Sequence, residues 1–296
     1  MTQTFQEAVK SSLQEALGIE VDIRASRSVG GGSINQAAVY ETNAGEFFLK
    51  WNRQLIDDQF ELEAMALEEM RDSPTDLVIP KPIVHRPPRG GVPGFLVIEY
   101  LEPGQRVDDF DEQLGRGLAA LHSKTAYAFG FHADNYCGTT IQPNPWLEDW
   151  ITFYRDERLG FQLELAAETR GVSSDDRRAY ERLLYRLDEF LATDESKPSL
   201  IHGDLWSGNL HVAPDGRPSL IDPAAYFGHR EAELGMMRLF GGFSERVYDA
   251  YDEAWPLEPG WRDRLELYEL YHLMNHYNLF GGGYGRRAFS IVERWV

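Results

Sequence analysis

The stretch that decides the fold is Ile201–Leu210, IHGDLWSGNL, which is followed at residues 221–223 by IDP, the end of a short apolar run. It holds Asp204 and, five residues later, Asn209, before the second aspartate Asp222. A phosphotransferase uses these residue types in this order. The first aspartate faces the attacking hydroxyl, and the asparagine and second aspartate offer oxygen ligands to Mg²⁺. A loop whose polar side chains bond to its own backbone would show the same pattern.

Lys50 is the feature that separates these two interpretations. It is one of five lysines in the chain and lies in Phe47–Trp51, FFLKW, eighteen residues after the last of the consecutive glycines Gly30–Gly32. Protein kinases place a lysine on the third strand behind a glycine-rich loop, where it meets the nucleotide phosphates. A lysine at a strand end with its ammonium in solvent, and a flexible glycine hairpin, are the plain alternatives. It is improbable that these plain alternatives together explain the loop at Ile201–Leu210, the lysine and the glycines in this chain order.

The kinase lysine pairs with a carboxylate from the next helix, and the sequence offers candidates there. A helix is predicted at Asp57–Arg71, with glutamates at Glu61, Glu63, Glu68 and Glu69. Glu63 adjoins the apolar stripe of that helix, whereas Glu68 and Glu69 lie further along it. Glu63 is therefore the predicted partner of Lys50.

The hydrophobic pattern predicts an α+β protein with two lobes. Residues 1–98 form a small lobe with an antiparallel sheet and one main helix, residues 99–104 a hinge, and residues 105–296 a larger, mostly helical lobe. The predicted elements of the small lobe are a first helix from Phe5 that stops at Gly18, the helix at Asp57–Arg71, and strands at Val21–Val29, Gln36–Thr42, Glu46–Trp51, Ile83–Arg86 and Phe95–Glu99. Those of the large lobe are helices at Phe110–His122, Trp146–Thr169, Asp175–Leu191, Glu231–Phe240 and Arg262–Phe280, with two short strands flanking a loop within Ser199–Pro223.

The segment between the lobes is a candidate adenine site. Val97–Glu102 is an apolar strand that ends in a hinge, and Glu99, Tyr100 and Leu101 are the predicted contacts of a nucleotide base. A simple interdomain linker is the rival interpretation, and the two are compatible. The chain lacks GxxxxGK[ST], which excludes a Walker-type nucleotide site. It also lacks the GxGxxG motif of dinucleotide-binding folds, the GxSxG motif of α/β-hydrolases and the HExxH motif of zinc proteases.

Charge and composition exclude several partners and predict a location. The 296 residues include 29 Lys plus Arg against 48 Asp plus Glu, a net charge of −19 that would repel a nucleic acid or an anionic bilayer. Cys137, the single cysteine, cannot form an internal disulfide or a zinc site built on cysteines. The amino-terminal stretch lacks the pattern of a signal peptide, and no run is apolar enough to cross a membrane. A cytoplasmic protein is expected.

Five motifs carry a resemblance to a known family. They are HGDLWSGN at His202–Asn209, IDPAAYFGHREAEL at Ile221–Leu234, GGGSIN at Gly30–Asn35, and the longer stretches Phe129–Gln162 and Leu267–Tyr284. The chain resembles the fructosamine kinase, or ketosamine 3-kinase, family over nearly its whole length. That family is a branch of the protein-kinase-like fold, which also includes the aminoglycoside and choline kinases. Trp206 in the HGDLWSGN motif distinguishes it from those relatives.

The resemblance implies ATP-dependent, Mg²⁺-assisted phosphorylation of the 3-hydroxyl of a ketoamine, as in deglycation repair. The residues it implies are Asp204 as catalytic base, Asn209 and Asp222 as magnesium ligands, Lys50 with its partner Glu63 at the phosphates, Gly31, Gly32, Ser33 and Ile34 as the cover over the phosphates, and Trp206 beside the sugar. It treats His202, His229, Arg230 and Glu231 as structural. The implied partner is a small-molecule or protein-bound ketoamine, and a monomer is favoured.

Two departures and two alternatives accompany this resemblance. Ser33 stands where many relatives have cysteine, and Glu233 where the family often has aspartate, while Cys137 is expected to be a buried bystander.

One alternative is a kinase of the same fold that phosphorylates an aminoglycoside, choline or a free sugar. The other is a catalytically silent nucleotide-binding module, which is disfavoured because the candidate catalytic residues are all present.

Overall fold

The chain forms two compact units in a computed structural model, which describes residues 4–30, 35–53, 58–192 and 197–296. The first unit comprises Met1–Asp72, Leu77–Asp108 and His211–Asp222, and the second comprises Ser73–Asp76, Asp109–Leu210 and Pro223–Val296. The predicted division at residues 99–104 stays a prediction. The first unit runs on to Asp108 and takes in a segment that the sequence assigned to the large lobe.

The first unit is built on a five-stranded sheet and two helices. Its elements are α1 (Phe5–Leu17), β1 (Ile23–Val29), β2 (Gln36–Thr42), β3 (Gly45–Asn52), α2 (Gln59–Arg71), β4 (Pro82–Arg86) and β5 (Gly94–Glu99). The strand order is β1-β2-β3-β5-β4, and every neighbouring pair is antiparallel. The predicted antiparallel sheet is confirmed.

Strand β3 positions its lysine through the two-residue alternation of a strand. Phe47 and Leu49 join a buried cluster with Val9 and Leu13 of α1. Because successive side chains of a strand point to opposite faces, Lys50 lies on the other face of the sheet. Lys50 is paired in register with Ala37 of β2 and Leu96 of β5, so its backbone is held on both sides.

A two-stranded sheet late in the chain completes the first unit. It consists of β9 (Leu210–Val212) and β10 (Pro218–Leu220), and apart from Leu210 it belongs to this unit. Val78 N donates a hydrogen bond to Pro218 O, and Leu220 N donates one to Val78 O, each 3.0 Å long. These bonds attach the strand that leads to Asp222 to the rest of the unit.

The second unit is mostly helical. Its helices are α3 (Phe110–His122), α4 (Trp150–Phe153), a π-helical turn (Tyr154–Gly160), α5 (Phe161–Thr169), α6 (Ser174–Tyr185), α7 (Leu187–Leu191), α8 (Arg230–Phe240), α9 (Glu245–Ala254), α10 (Trp261–Phe280) and α11 (Gly283–Trp295). Its short strands are β6 (Asn135–Cys137), β7 (Thr140–Gln142), β8 (Ser199–Ile201) and β11 (Tyr226–Gly228). Within the described residues, no helix is long and apolar enough to cross a membrane.

Several predicted boundaries in this unit differ from the structure. The helix predicted from Trp146 begins at Trp150, because the Asp149 side chain accepts a hydrogen bond from Thr152 N and caps it there. The helix predicted at Asp175–Leu191 is interrupted at Arg186, whose φ and ψ of −107° and 8° leave the helical range. Strand β8 pairs with β11, not with β10. Helices α9 and α11 were not predicted.

Candidate active site

A buried lysine with two carboxylate partners forms the candidate phosphate site of the first unit. The Lys50 side chain is 8% exposed, and its Nζ lies 2.6 Å from Glu63 Oε1 of α2. Lys50 Nζ also forms an ion pair and hydrogen bond with an Asp222 carboxylate oxygen. The structure thus brings together three of the residues selected from the sequence.

The charges around Lys50 fix its protonation state. Burial alone would lower the pKa of Lys50, but the Asp222 and Glu63 carboxylates outweigh that effect and raise the pKa above its ordinary value. The amine therefore carries its full positive charge at neutral pH. A desolvated ammonium held in one position is suited to binding a phosphate oxygen.

Asp222 has an unusual backbone. Its φ of 58° is the only positive φ of a non-glycine residue in the part of the chain that the structure describes. Aspartate tolerates the left-handed region better than most residues, and such conformations cluster at functional sites. The side chain is 46% exposed despite its bond to Lys50, so one carboxylate can contact both the lysine and a cation from solvent.

The segment after β5 holds the three candidate adenine contacts within the same unit. Glu99 N donates to Lys81 O at 2.8 Å, and the Glu99 carboxylate accepts a hydrogen bond from Lys81 N at 3.2 Å. The Arg27 guanidinium lies 4.8 Å from the centre of the Tyr100 ring. A ring nitrogen of His211 lies 3.0 Å from Leu101 O. The Glu99 carboxylate, the Glu99 N–H and the Leu101 carbonyl are therefore all engaged within the unit.

The loop between β8 and β9 carries the candidate catalytic aspartate in the second unit. Asn209 Nδ2 donates to Asp204 O at 2.8 Å and lies 3.4 Å from Asp204 Oδ2. Because this nitrogen faces the loop, the side-chain oxygen of Asn209 is the atom that could bind a cation. His202 Nδ1 accepts a hydrogen bond from Asp204 N at 3.3 Å, which agrees with its predicted structural role.

Two glycines of this loop lie where an added side chain would meet a neighbour, and the backbone itself requires only Gly203. Gly203 has a φ of 81°, and a Cβ there would collide with Ala224 O. A Cβ at Gly208 would collide with the indole ring of Trp206, which folds over that glycine. Trp206 remains 40% exposed and presents an apolar face two residues from Asp204.

Glu233 holds the start of the loop, a role that the sequence did not reveal. Its carboxylate on α8 accepts hydrogen bonds from His202 N and, at 3.3 Å, from Gly203 N. Burial would raise the pKa of Glu233, but the His122 side chain beside it and the backbone N–H of His202 outweigh that effect and lower the pKa. The carboxylate is therefore ionised at neutral pH, the form in which it accepts most strongly.

We expect Glu233→Ala to lower the free energy of unfolding by about 2 to 4 kcal/mol, because two buried N–H groups lose their acceptor. Glu233→Gln keeps one acceptor oxygen and should fall between this variant and the wild type. Urea unfolding measures both, with Glu189→Ala as the control, since Glu189 pairs with Arg186 at the surface. A Glu233→Ala protein as stable as that control would contradict the assignment.

His229 caps the helix that carries Glu233. Its Nδ1 accepts a hydrogen bond from Glu231 N at 3.3 Å, and burial, with a smaller contribution from nearby positive charges, lowers its pKa to about 3. Glu231 pairs with Arg264 at 2.6 Å, and Arg230 bonds to the Trp255 and Pro256 carbonyls. This arrangement agrees with the structural role predicted for His229, Arg230 and Glu231.

His229 should make stability depend on pH. The unfolded chain protonates this histidine below pH 6.5 and the folded chain does not, so stability is lost as the pH falls from 6.5 toward 3. Between pH 7 and pH 5 the loss should be about 2 kcal/mol. We expect His229→Asn, which keeps a capping side chain, to lose correspondingly less over that interval in urea unfolding. Parallel pH curves for the two proteins would contradict this expectation.

The predicted phosphate cover lies outside the described residues. Gly31, Gly32, Ser33 and Ile34 were assigned to it from the sequence, and that assignment stays a prediction.

The chain matches a known protein family over nearly its whole length. A sequence model described as fructosamine kinase matches residues 5–296. The chain belongs to the fructosamine kinase family. Its membership identifies this kinase as a phosphotransferase, as the sequence predicted.

Individual relatives of this fructosamine kinase family member agree with that assignment. It is 43% identical over 272 residues to the chloroplastic protein-ribulosamine 3-kinase of Oryza sativa subsp. indica, covering 91% of this chain and 78% of that one. A proposed fructosamine-3-kinase of Thermobifida fusca YX-ER1 matches with a TM-score of 0.85 and 32% identity, over 97% of both chains.

A more distant structure shows the fold alone. An aminoglycoside phosphotransferase, APH(2'')-Ib in its ADP-bound form, matches the kinase with a TM-score of 0.62 and 12% identity, over 96% of this chain and 97% of that one. The predicted protein-kinase-like fold is confirmed.

Proposed function

We propose that this protein transfers the γ-phosphoryl group of ATP to the 3-hydroxyl of a ketosamine, the adduct that a reducing sugar forms with an amine, and so acts in deglycation repair. The observation that carries the proposal is the buried ammonium of Lys50, held by Glu63 and Asp222. A phosphoryl donor needs such a preorganised positive charge, because positioning and electrostatics supply most of the acceleration in phosphoryl transfer.

The oxygen donors of the chain fit Mg²⁺ as the accompanying cation. Asp222 offers a half-exposed carboxylate, and Asn209 offers an amide oxygen. Mg²⁺ prefers oxygen ligands and takes few of them from protein, with phosphate oxygens and water completing its shell. When bound, it would neutralise charge on the transferred phosphoryl group. We assign Asn209 and Asp222 as its ligands and Lys50 to the phosphates.

The acceptor hydroxyl is assigned to Asp204. The carboxylate of Asp204, in the loop between β8 and β9, would orient the hydroxyl and accept its proton as the phosphoryl group is transferred. The exposed indole of Trp206, two residues away in the chain, offers an apolar surface for a sugar. We further assign Glu99, Tyr100 and Leu101 to the adenine, as the sequence predicted.

The acceptor is tested with a panel of compounds. ADP release is measured with Mg²⁺ and ATP in the presence of ribuloselysine, fructoselysine, erythruloselysine, an aminoglycoside or choline. We expect the ketosamines to be phosphorylated, with ribuloselysine preferred because the Oryza relative is named a ribulosamine kinase. Phosphorus NMR should place the new phosphate on the third carbon. If only the aminoglycoside or choline were phosphorylated, the ketosamine would be wrong as the proposed substrate. If no compound led to ADP release, the silent nucleotide-binding module would be favoured.

We expect Trp206→Ala to raise the KM for the preferred ketosamine about tenfold and to leave the KM for ATP unchanged, since an aromatic contact contributes on the order of 1 kcal/mol. Steady-state kinetics with each substrate varied in turn measures both constants. Tyr185→Ala is the control, because Tyr185 is an exposed aromatic residue on α6. Equal KM changes for the two substrates would place Trp206 outside the sugar site.

A further inference from the structure

Three side chains from distant parts of the second unit meet beside the candidate catalytic aspartate. They are Cys137 at the end of β6, Asp204 in the loop after β8, and His272 on α10. Each offers one ligand atom, and these three atoms lie within 4.8 Å of one another. No other such group of three occurs among the residues that the structure describes.

The histidine of this group has an unsatisfied polar atom. His272 is 4% exposed, and in the described part of the chain its Nδ1 has no hydrogen-bond partner. Buried polar atoms in native proteins are nearly always bonded, so an exception calls for a ligand or another explanation.

The cysteine is enclosed but held in place. Cys137 is 2% exposed, and Asn275 Nδ2 on α10 donates a 3.2 Å hydrogen bond to its carbonyl oxygen. This bond ties the end of β6 to the helix that carries His272. Asp204 is only partly buried, so it gives the enclosed pair a side open to an entering ion.

We infer that Cys137, Asp204 and His272 form a binding site for Zn²⁺ or a similar divalent transition metal. Thiolate, imidazole and carboxylate are the three common protein ligands of Zn²⁺, and three of them leave its fourth tetrahedral position for water. In a tetrahedral zinc site, each ligand atom lies about 2.0 to 2.3 Å from the metal, so the ligand atoms are closer to one another than the 4.8 Å within which these three lie. Small side-chain movements would therefore complete the site. Binding breaks the S–H bond of Cys137, forms a sulfur–metal bond and releases the proton to solvent.

This site is distinct from the proposed magnesium site in chemistry. Asn209 and Asp222 offer oxygen atoms only, which suits a hard cation, whereas the sulfur and nitrogen of Cys137 and His272 select a softer one. The two ions would also differ in their effect on catalysis, because Zn²⁺ would bind the carboxylate of Asp204. Provided that the proposed function is right, zinc is therefore an inhibitor that withdraws the catalytic base.

Metal binding is tested without reference to activity. Co²⁺ is added to the metal-free protein, and the absorption of a cobalt–thiolate bond is followed in the near ultraviolet. Because Cys137 is the only cysteine in the sequence, any such band reports this site. We expect a saturable band that Zn²⁺ removes by competition. His272→Asn should lower the Co²⁺ affinity by at least about tenfold, since loss of even an outer-shell partner has that effect. Absence of the band at saturating Co²⁺ would overturn the inference.

Inhibition is tested with the preferred ketosamine, ATP and Mg²⁺. We expect Zn²⁺ to reduce turnover about a hundredfold or more, the range for loss of a general base. Cys137→Ala should retain turnover without zinc and need at least about tenfold more Zn²⁺ for the same inhibition. Thermal unfolding checks that this variant folds, and His272→Asn repeats the test if it does not. Equal zinc sensitivity of the wild type and both variants would overturn the inference. A cobalt band in a protein without kinase activity would leave the metal site standing and the proposed function refuted.

Discussion

Asp204→Asn should fold as the wild type does and lose turnover by a factor of about 10² to 10⁴, the usual contribution of a general base. The amide has nearly the same shape as the carboxylate and can still accept the hydrogen bond from Asn209 Nδ2, so the loop should keep its conformation. It cannot accept a proton from the sugar hydroxyl at neutral pH. The loss should therefore appear in kcat, with little change in the KM for ATP.

The matched control for this substitution is Asp149→Asn. Asp149 caps α4 through its bond to Thr152 N, and asparagine caps helices as well as aspartate does. This variant should keep full turnover. Circular dichroism and thermal unfolding compare the folding of both variants. If Asp204→Asn kept near wild-type kcat with an unchanged melting temperature, the assignment of Asp204 as catalytic base would be wrong.

Lys50→Ala should lower kcat/KM for ATP by about 10² to 10³, the typical effect of removing one preorganised charge-stabilising group. It should also reduce stability. Glu63 would keep a largely buried carboxylate without its cation, and removal of one partner from a buried ion pair costs about 3 to 5 kcal/mol. The half-exposed Asp222 is solvated by water and should contribute less. Steady-state kinetics and urea unfolding measure the two effects separately.

A double variant separates catalysis from stability at Lys50. Lys50→Met combined with Glu63→Gln removes both charges of the buried pair, so most of the lost stability should return while activity stays low. Lys10→Ala is the surface control, since Lys10 pairs with Asp22 in solvent. Recovery of activity together with stability would show that Lys50 serves the fold alone.

The parts of the site that rest on local spacing could be predicted from the sequence. Lys50 alternates with buried Leu49 on β3, and Glu63 adjoins the apolar stripe of α2, so each orientation follows from the period of its own element. Their meeting in one ion pair follows from the order of strand and helix. The intact motif at His202–Asn209 likewise specifies its own glycine-dependent turn.

Features that depend on contacts between distant segments could not be predicted in this way. Glu233 was noted only for the length of its side chain, because nothing near it in sequence indicates that it binds the backbone of His202. Cys137 and His272 are 135 positions apart, and neither belongs to a motif that suggests the other. Strands β8 and β10 flank the same loop in the sequence, but hydrogen bonds pair β8 with β11.

Two helices were missed although both are amphipathic. Helix α9 buries Val247, Tyr248, Ala250 and Tyr251 on one face, but it spans only Glu245–Ala254, so its apolar stripe is short. Helix α11 begins directly after Gly281 and Gly282, and a pair of glycines indicates a turn rather than the start of a helix.

The ammonium of Lys50 is shared between Glu63 and Asp222, and this sharing couples two binding equilibria. While Lys50 neutralises part of its charge, the Asp222 carboxylate would attract a second cation less strongly than a lone carboxylate would. A phosphate that draws the ammonium toward itself would release negative charge on Asp222 and strengthen its attraction for Mg²⁺. If Mg²⁺ binds at Asp222 as proposed, thermodynamic reciprocity requires that it would strengthen nucleotide binding by the same factor. The protein would then bind little of either ligand alone and take both together, which would protect the resting enzyme from occupation by the abundant free ion.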